Sequence, residues 1–165
     1  MGAAKERDML RTGRRAPDFD LARLDQGNVH LKELLKDGPV LLAFFKASCP
    51  VCQLTLPFLE RIHSDRKVDA YRVYGISQDD PETAREFNKE YGITLPMLLD
   101  TAESGYPASN DYGISHVPSL FLIEADGTVG WSQEGFNKRE MTALGRRAGV
   151  KVFGPGDDVP EWKAG

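Results

Sequence analysis

The stretch VLLAFFKASCPVCQLTLPFLERI, residues 40–62, decides how this chain folds. Its first six residues form an unbroken apolar run, which is typical of a strand buried on both faces of a sheet. The apolar residues Leu54, Phe58 and Ile62 then recur at helical spacing and predict a helix with one buried face. The stretch therefore predicts a buried strand that leads directly into a helix.

The chain's two cysteines, Cys49 and Cys52, lie at this strand-to-helix junction. A bridge between them would close a very small loop, so it would constrain little of the unfolded chain and add little stability. Free N–H groups and the positive dipole end at the helix N-terminus favour a thiolate on Cys49, and the thiolate is the nucleophile in thiol chemistry. Cys52 could then attack a mixed disulfide formed on Cys49. The pair therefore predicts redox chemistry, with an exposed Cys49 and a more buried Cys52.

The rest of the chain alternates between strand-like and helix-like segments. Strands are predicted at residues 71–77, 97–99, 119–124 and 128–131, helices at 81–91, 108–112 and 138–148, and a short hairpin around the turn at 25–27. This alternation predicts an α/β fold, with helices on both faces of a central sheet and at least one parallel crossover.

Three regions are expected along the chain. Residues 1–15 are charged and aperiodic, which predicts a flexible lead-in. Residues 16–149 should hold the folded domain, and residues 150–165 form a Gly/Pro-rich tail that should be loosely held.

Length and composition limit the classes of protein to consider. The chain has 165 residues and a net charge of −4, which suits one domain without the basic patches that bind nucleic acid. No apolar run before Pro17 has signal-peptide length, so the sequence as written predicts a cytoplasmic protein; a removed leader would allow a periplasmic or membrane-tethered one. We expect a monomer that makes no membrane contact through the chain as given.

Several motifs together resemble a known family. They are Ala-Pro-Asp-Phe at 16–19, Phe44-Phe45 before Cys-Pro-Val-Cys, Pro57 in the helix that follows, Val-Pro-Ser at 117–119 and the Asp126-Gly127 turn. In these features the chain resembles the thioredoxin superfamily, and within it the TlpA-like branch related to the alkyl hydroperoxide reductase and thiol-specific antioxidant (AhpC/TSA) group. The resemblance covers roughly residues 16–149. It implies a thioredoxin-like fold, with a central mixed sheet, helices on both faces and an N-terminal β-hairpin extension.

The resemblance also implies roles for residues around the cysteines. Pro118 would be a cis proline packed beside the sulfurs, and the backbone of Val117 would hold an extended substrate strand by strand addition. Pro50 and Val51, between the cysteines, would shape the reduction potential. No cofactor is needed, because the disulfide itself carries the two electrons.

Lys46 and His116 stand close to these motifs in the sequence. Lys46 lies three residues before Cys49, where its charge would favour the thiolate or where it would simply reach solvent. His116 lies two residues before Pro118, where it would tune Cys49, contact substrate or remain an exposed loop residue. Both residues therefore stay open candidates for the site.

The chain departs from the family pattern at three positions. Ser48 stands where thioredoxins usually carry a Trp before the first cysteine. Ala43 replaces the buried Asp of thioredoxins, and Thr55 replaces the Glu of many TlpA-like proteins. The usual proton acceptor for the Cys52 thiol is therefore absent at both positions.

Two other functions remain open. Peroxiredoxins share this fold and use a Pro-x-x-x-Thr-x-x-Cys pattern, which would make Cys52 the peroxide-attacking residue but puts Phe45 and Cys49 at the Pro and Thr positions. A copper or zinc chaperone would use Cys49, Cys52 and His116 as a soft N/S site, although related copper carriers space their cysteines by three residues.

The function predicted first is therefore thiol–disulfide exchange through Cys49 and Cys52. The expected partners are a protein disulfide substrate and an upstream thiol that supplies electrons. Such an activity would serve cellular redox homeostasis or antioxidant defence.

Overall fold

The apolar run at residues 40–45 forms an inner strand of a seven-stranded mixed sheet. The structure is a computed structural model and describes residues 8–165. Its strands are β1 (Asp20–Arg23), β2 (Asn28–His30), β3 (Val40–Phe45), β4 (Arg72–Ser77), β5 (Met97–Leu99), β6 (Ser119–Ile123), β7 (Val129–Glu134), β8 (Phe136–Asn137) and β9 (Trp162–Lys163). Its helices are α1 (Leu31–Leu34), α2 (Pro50–Asp65), α3 (Pro81–Tyr91), α4 (Pro107–Asp111) and α5 (Lys138–Arg147), with a 3₁₀ turn at Leu35–Asp37.

The strand order is β2-β1-β5-β4-β3-β6-β7. Strand β4 runs parallel to both β3 and β5, whereas β6, β7 and the β1–β2 hairpin make antiparallel contacts. The β3–α2–β4 unit supplies the parallel crossover that the alternating pattern predicts. The predicted thioredoxin-like architecture, with its N-terminal hairpin extension, is therefore confirmed.

Alternate residues of β3 face two separate cores, because successive side chains in a strand point to opposite faces. Leu41, Ala43 and Phe45 pack with buried residues of α2, α3 and α5. Val40, Leu42 and Phe44 pack on the other face with buried residues of α1 and α4. All six residues of β3 are buried, which explains why the strand reads as a continuous apolar run.

The helix ends follow local capping signals in the sequence. Asp80 caps α3 by accepting a hydrogen bond from the Thr83 N–H at 2.8 Å, and Gly92 ends that helix in the left-handed region, with φ of 67°. Asn137 caps α5 in the same way through the Glu140 N–H, at 3.0 Å. No helix within residues 8–165 is both long enough and apolar enough to cross a membrane.

The start of the described chain is bound to the sheet rather than free. The Leu10 N–H donates to the Tyr112 carbonyl at 3.0 Å, and residues 13 and 14 exchange backbone hydrogen bonds with Val129. The predicted flexible lead-in is therefore not observed from Leu10 onward, and residues 1–7 lie outside the described part of the chain. The polar composition of this segment does not predict these hydrogen bonds, because backbone groups make them.

The tail after residue 149 is also held against the domain, contrary to the loose segment that its Gly/Pro content predicted. Phe153 packs against the ring of Phe58, with centroids 4.8 Å apart, and Val152 is buried. Arg61 pairs with Asp157 at 2.7 Å, and this hydrogen bond holds the pKa of Asp157 below its ordinary value. The pair therefore stays ionised at neutral pH and is lost only as the pH falls through that lowered pKa.

Candidate active site

Cys49 sits at the junction between β3 and α2, as the N-cap residue of the helix. Its sulfur accepts a hydrogen bond from the Cys52 N–H at 3.2 Å. Its thiol also donates to the Val117 carbonyl oxygen at 3.4 Å. The helix N-terminus and the loop before β6 therefore hold this one sulfur from two sides, and the residue remains partly exposed.

Cys52 lies one turn into α2 and is fully buried, and both cysteines are free thiols. Burial raises the pKa of the Cys52 thiol far above its ordinary value, and the neighbouring Cys49 raises it further. The pair thus combines an accessible sulfur with a protonated one behind it, which is the order of exposure that the sequence predicts.

The two thiols should differ in reactivity. We expect iodoacetamide at neutral pH to modify Cys49 quickly and Cys52 slowly, because only the thiolate reacts and Cys52 is buried and protonated. In a Cys49→Ser protein the rate of Cys52 modification should rise about tenfold per pH unit well into the alkaline range. Mass spectrometry of timed samples measures both rates. Equal rates for Cys52 in the native and the guanidinium-unfolded protein would contradict this expectation.

The loop before β6 brings the predicted substrate-binding backbone to the cysteines. The Val117–Pro118 peptide bond is cis, as the family resemblance implies. The Pro118 carbonyl accepts the Gly135 N–H at 2.8 Å, and the Ser119 hydroxyl donates to the His116 carbonyl at 2.7 Å. These bonds tie the loop to the rest of the domain and hold the Val117 carbonyl over Cys49.

Between the cysteines, Pro50 and Val51 form the first turn of α2. Pro50 occupies the first helical position, where its missing N–H leaves no hydrogen bond unmade, and it is exposed. Val51 is buried and packs in the core beside Cys52. These two residues therefore form the outer and the inner side of the turn that joins the two sulfurs.

Lys46 and His116 line a cavity of about 210 Å³ beside Val117. The Lys46 ammonium lies 5.9 Å from the centre of the Tyr106 ring. His116 places Nδ1 2.7 Å from a Glu134 carboxylate oxygen, and its side chain is more than half exposed. Within residues 8–165 neither side chain makes a hydrogen bond or ion pair with a cysteine. The structure thus brings both to the rim of the site rather than to the sulfurs.

Asp79, an acidic residue that none of the sequence motifs includes, lies near the two cysteines. The Asp79 carboxylate accepts the Ala47 N–H at 2.7 Å, and its charge contributes to the raised pKa of Cys52. Asp79 follows β4 just as Cys49 follows β3. Because the carboxyl ends of parallel strands meet at one edge of a sheet, its position in the sequence could have predicted that it lies near the cysteines.

The two positions that lack the usual proton acceptor stay without an acid in the structure. Ala43 is buried within β3, and the buried Thr55 hydroxyl donates to the Val51 carbonyl at 2.7 Å. Glu60, farther along α2, accepts hydrogen bonds from Thr94 and Leu95 instead. Among the described residues, Asp79 is therefore the carboxylate whose charge acts on Cys52.

A metal site would need several ligating side chains close together. Within residues 8–165, no group of three or more His, Cys, Asp or Glu side chains is placed to hold a metal ion. His116, the third ligand of the chaperone hypothesis, is engaged with Glu134 and with the Ser115 hydroxyl.

Comparisons with known proteins agree with this geometry. Residues 12–132 match the model of the AhpC/TSA family. The thiol-disulfide oxidoreductase ResA of Halalkalibacterium halodurans is 29% identical over 125 residues, covering 75% of this chain and 69% of that protein. In structure, the chain resembles a thiol:disulfide interchange protein from Bacteroides sp., with a TM-score of 0.72 and 22% identity over 85% of this chain and 91% of that one. It also resembles a thiol:disulfide interchange protein of the thioredoxin family from Chlorobium tepidum, with a TM-score of 0.66 and 24% identity over 84% and 97% of the two chains.

Proposed function

The chain belongs to the AhpC/TSA family, in the TlpA-like branch of the thioredoxin superfamily, and we propose that it reduces protein disulfides with Cys49 as the attacking thiol and Cys52 as the resolving thiol. Thiol–disulfide oxidoreductase is the activity named for its ResA relatives, and it is the activity of this chain. One observation carries the assignment of roles. The Cys49 sulfur is partly exposed between the Cys52 N–H and the Val117 carbonyl, and Cys52 is buried behind it.

The reaction proceeds by two exchanges. The Cys49 thiolate attacks one sulfur of the substrate disulfide, so that a mixed disulfide forms and the other substrate sulfur leaves as a thiolate that takes up a proton. Cys52 then loses its proton and attacks the Cys49 sulfur. The Cys49–Cys52 disulfide forms, the second substrate thiol leaves, and two electrons have passed to the substrate. An upstream thiol donor returns the pair to the dithiol state.

The residues around the pair position the substrate in this proposal. The backbone of Val117, followed by Pro118, binds an extended substrate segment by strand addition beside Cys49. Pro50 and Val51 set the geometry of the turn that joins the sulfurs and so influence the potential. Lys46 and His116 are assigned to substrate contact at the rim, because both line the cavity next to Val117.

The direction of electron flow between the protein and its substrates depends on the redox poise of the compartment. In the reducing cytoplasm the pair is kept as a dithiol, so the protein reduces its substrates. An exported form would act in the same direction only if its thiol donor delivered electrons outside the cytoplasm.

The peroxidase hypothesis requires Cys52 to attack peroxide. Peroxide attack needs an accessible thiolate, whereas Cys52 is fully buried and its pKa is raised. The residues at the supporting positions, Phe45 and Cys49, supply neither the Pro nor the Thr of the peroxiredoxin pattern. These observations favour disulfide exchange over peroxide reduction.

The proposed function is tested by equilibrating the protein with a series of glutathione redox buffers, followed by alkylation and mass measurement. We expect one two-electron transition between a dithiol and an intramolecular Cys49–Cys52 disulfide, and its midpoint gives the potential. Absence of that disulfide at every ratio would overturn the proposal.

A further inference from the structure

Residues 161–165 lie beside the substrate-binding backbone. Strand β9 pairs with β8, with Trp162 opposite Asn137 and Lys163 opposite Phe136. Two residues later, a Cβ placed on Gly165 would clash with the Val117 carbonyl oxygen. The backbone at Gly165 is therefore in contact with the backbone at Val117.

The Val117 carbonyl, which the segment at Gly165 covers, belongs to the candidate active site. The Val117 carbonyl oxygen is the same atom that accepts the hydrogen bond of the Cys49 thiol. It also lies on the main-chain edge that the proposed function assigns to the substrate strand. Any polypeptide that pairs with this edge must therefore meet the segment at Gly165.

Anchors farther back in the tail keep this segment in place. Arg61 holds Asp157 through an ion pair and also donates to the Val152 carbonyl. The Lys138 N–H donates to the Glu161 carbonyl at 2.9 Å. Such anchors give the last residues a high effective concentration at the Val117 edge.

The last residues themselves are weakly bound. All five residues from 161 to 165 are exposed, and Trp162 keeps 61% of its surface accessible. The segment therefore contacts the domain mainly through its backbone, by the Glu161 carbonyl, the two-residue pairing of β9 and the approach at Gly165, with one ion pair at 3.7 Å between the side chains of Glu161 and Lys138. A longer substrate strand could replace these contacts with its own.

We propose that residues 161–165, here called the C-terminal strap, act as a built-in competitor for the Val117 edge and so set the substrate class of the enzyme. Small disulfides need only Cys49 and react without moving the strap. Polypeptide disulfides must displace it, so the apparent affinity for them is reduced in proportion to the fraction of molecules in which the Val117 edge is free of the strap. This inference rests on the proposed function, because it uses the same edge for the substrate.

Two glycines of the tail allow a matched test. Gly165→Ala places a methyl group against the Val117 carbonyl, so the strap must shift, whereas a Cβ on Gly156 meets nothing within 4 Å. We expect Gly165→Ala to raise kcat/KM for a protein disulfide such as insulin about fivefold, with that for glutathione disulfide unchanged. Gly156→Ala should match the wild type with both substrates. An equal effect on both substrates, or no effect on either, would overturn the proposal.

A second measurement does not depend on turnover. In a Trp131→Phe, Cys52→Ser protein, Trp162 is the remaining tryptophan, and a cysteine peptide can be attached to Cys49 chemically as a mixed disulfide. We expect peptide attachment to change iodide quenching of Trp162 fluorescence, whereas attachment of glutathione should not. Unchanged quenching with the peptide would contradict displacement of the strap. If the proposed function itself were wrong, the wild type would reduce neither insulin nor glutathione disulfide. The quenching measurement would still show whether an attached peptide displaces the strap.

Discussion

Replacing Cys49 by serine should abolish thiol–disulfide exchange, with turnover of a protein disulfide falling by about 10³-fold or more. Cys49 carries the accessible sulfur, and Cys52, fully buried and with a raised pKa, cannot take over the attack. A serine hydroxyl does not form the covalent intermediate with a disulfide. The measurement is the steady-state rate of insulin disulfide reduction with dithiothreitol as electron donor.

The control for this prediction is Ser48→Ala, one residue earlier in the same loop, where the side chain is exposed. It should retain the wild-type rate, which would show that the loss in Cys49→Ser comes from the sulfur and not from a disturbed loop. Substantial activity in Cys49→Ser would contradict the assignment of the attacking thiol.

Replacing Cys52 by serine should stop the reaction at the mixed disulfide. The backbone N–H of residue 52, which donates to the Cys49 sulfur, is kept in this variant, so the first exchange should proceed. The second exchange requires the Cys52 sulfur, so adducts through Cys49 should accumulate to nearly one per protein. Non-reducing electrophoresis and intact mass after incubation with an oxidised substrate measure them.

A folding control and a second variant test whether the effect of Cys52→Ser comes from loss of the sulfur. A serine hydroxyl in the fully buried site of Cys52 costs about 1–3 kcal/mol if it finds no partner, so the fold is verified by circular dichroism. Cys52→Ala removes the sulfur without adding a buried polar group and should trap the same adducts. Multiple turnover without adducts in either variant would show that another group resolves the intermediate.

Much of the fold could be predicted from local patterns. The six-residue apolar run of β3 and the helical spacing of Leu54, Phe58 and Ile62 are properties of neighbouring residues, and the structure places β3 and α2 there. Asp80 marks the start of α3 through its capping side chain, and Gly92 marks the end of α3 through its left-handed backbone. Signals of this kind act within a few residues, so they can be read without knowing the tertiary structure.

Some features of the candidate site could likewise be predicted from local sequence, whereas others depend on tertiary contacts. The spacing of Cys49 and Cys52 places both sulfurs within one helical turn, and this follows from the sequence. The position of Asp79 near Cys52 depends on the parallel pairing of β3 with β4, which joins residues about 30 positions apart. The partners of His116 and Lys46, Glu134 and Tyr106, likewise come from other elements.

The two ends of the chain show what composition alone misjudges. The Gly/Pro content of residues 150–165 predicted a loose tail, yet Phe153 finds an aromatic pocket at Phe58 and Asp157 finds Arg61. Residues 10–14 bind through backbone groups that every sequence possesses, and the Leu10 side chain packs against the core. In both regions the contacts join residues that are far apart in the sequence, so no local pattern predicts them.

By itself, the sequence determined the α/β class, the strand-to-helix junction and the identity of the redox-active pair, because hydrophobic periodicity, capping and cysteine spacing operate over one or two turns of chain. Only the tertiary structure decided how completely Cys52 is buried, that the Val117 carbonyl accepts the hydrogen bond of the Cys49 thiol, and that the C-terminal strap reaches that carbonyl. Burial and close approach depend on how distant segments pack, and their energies arise only when those segments meet.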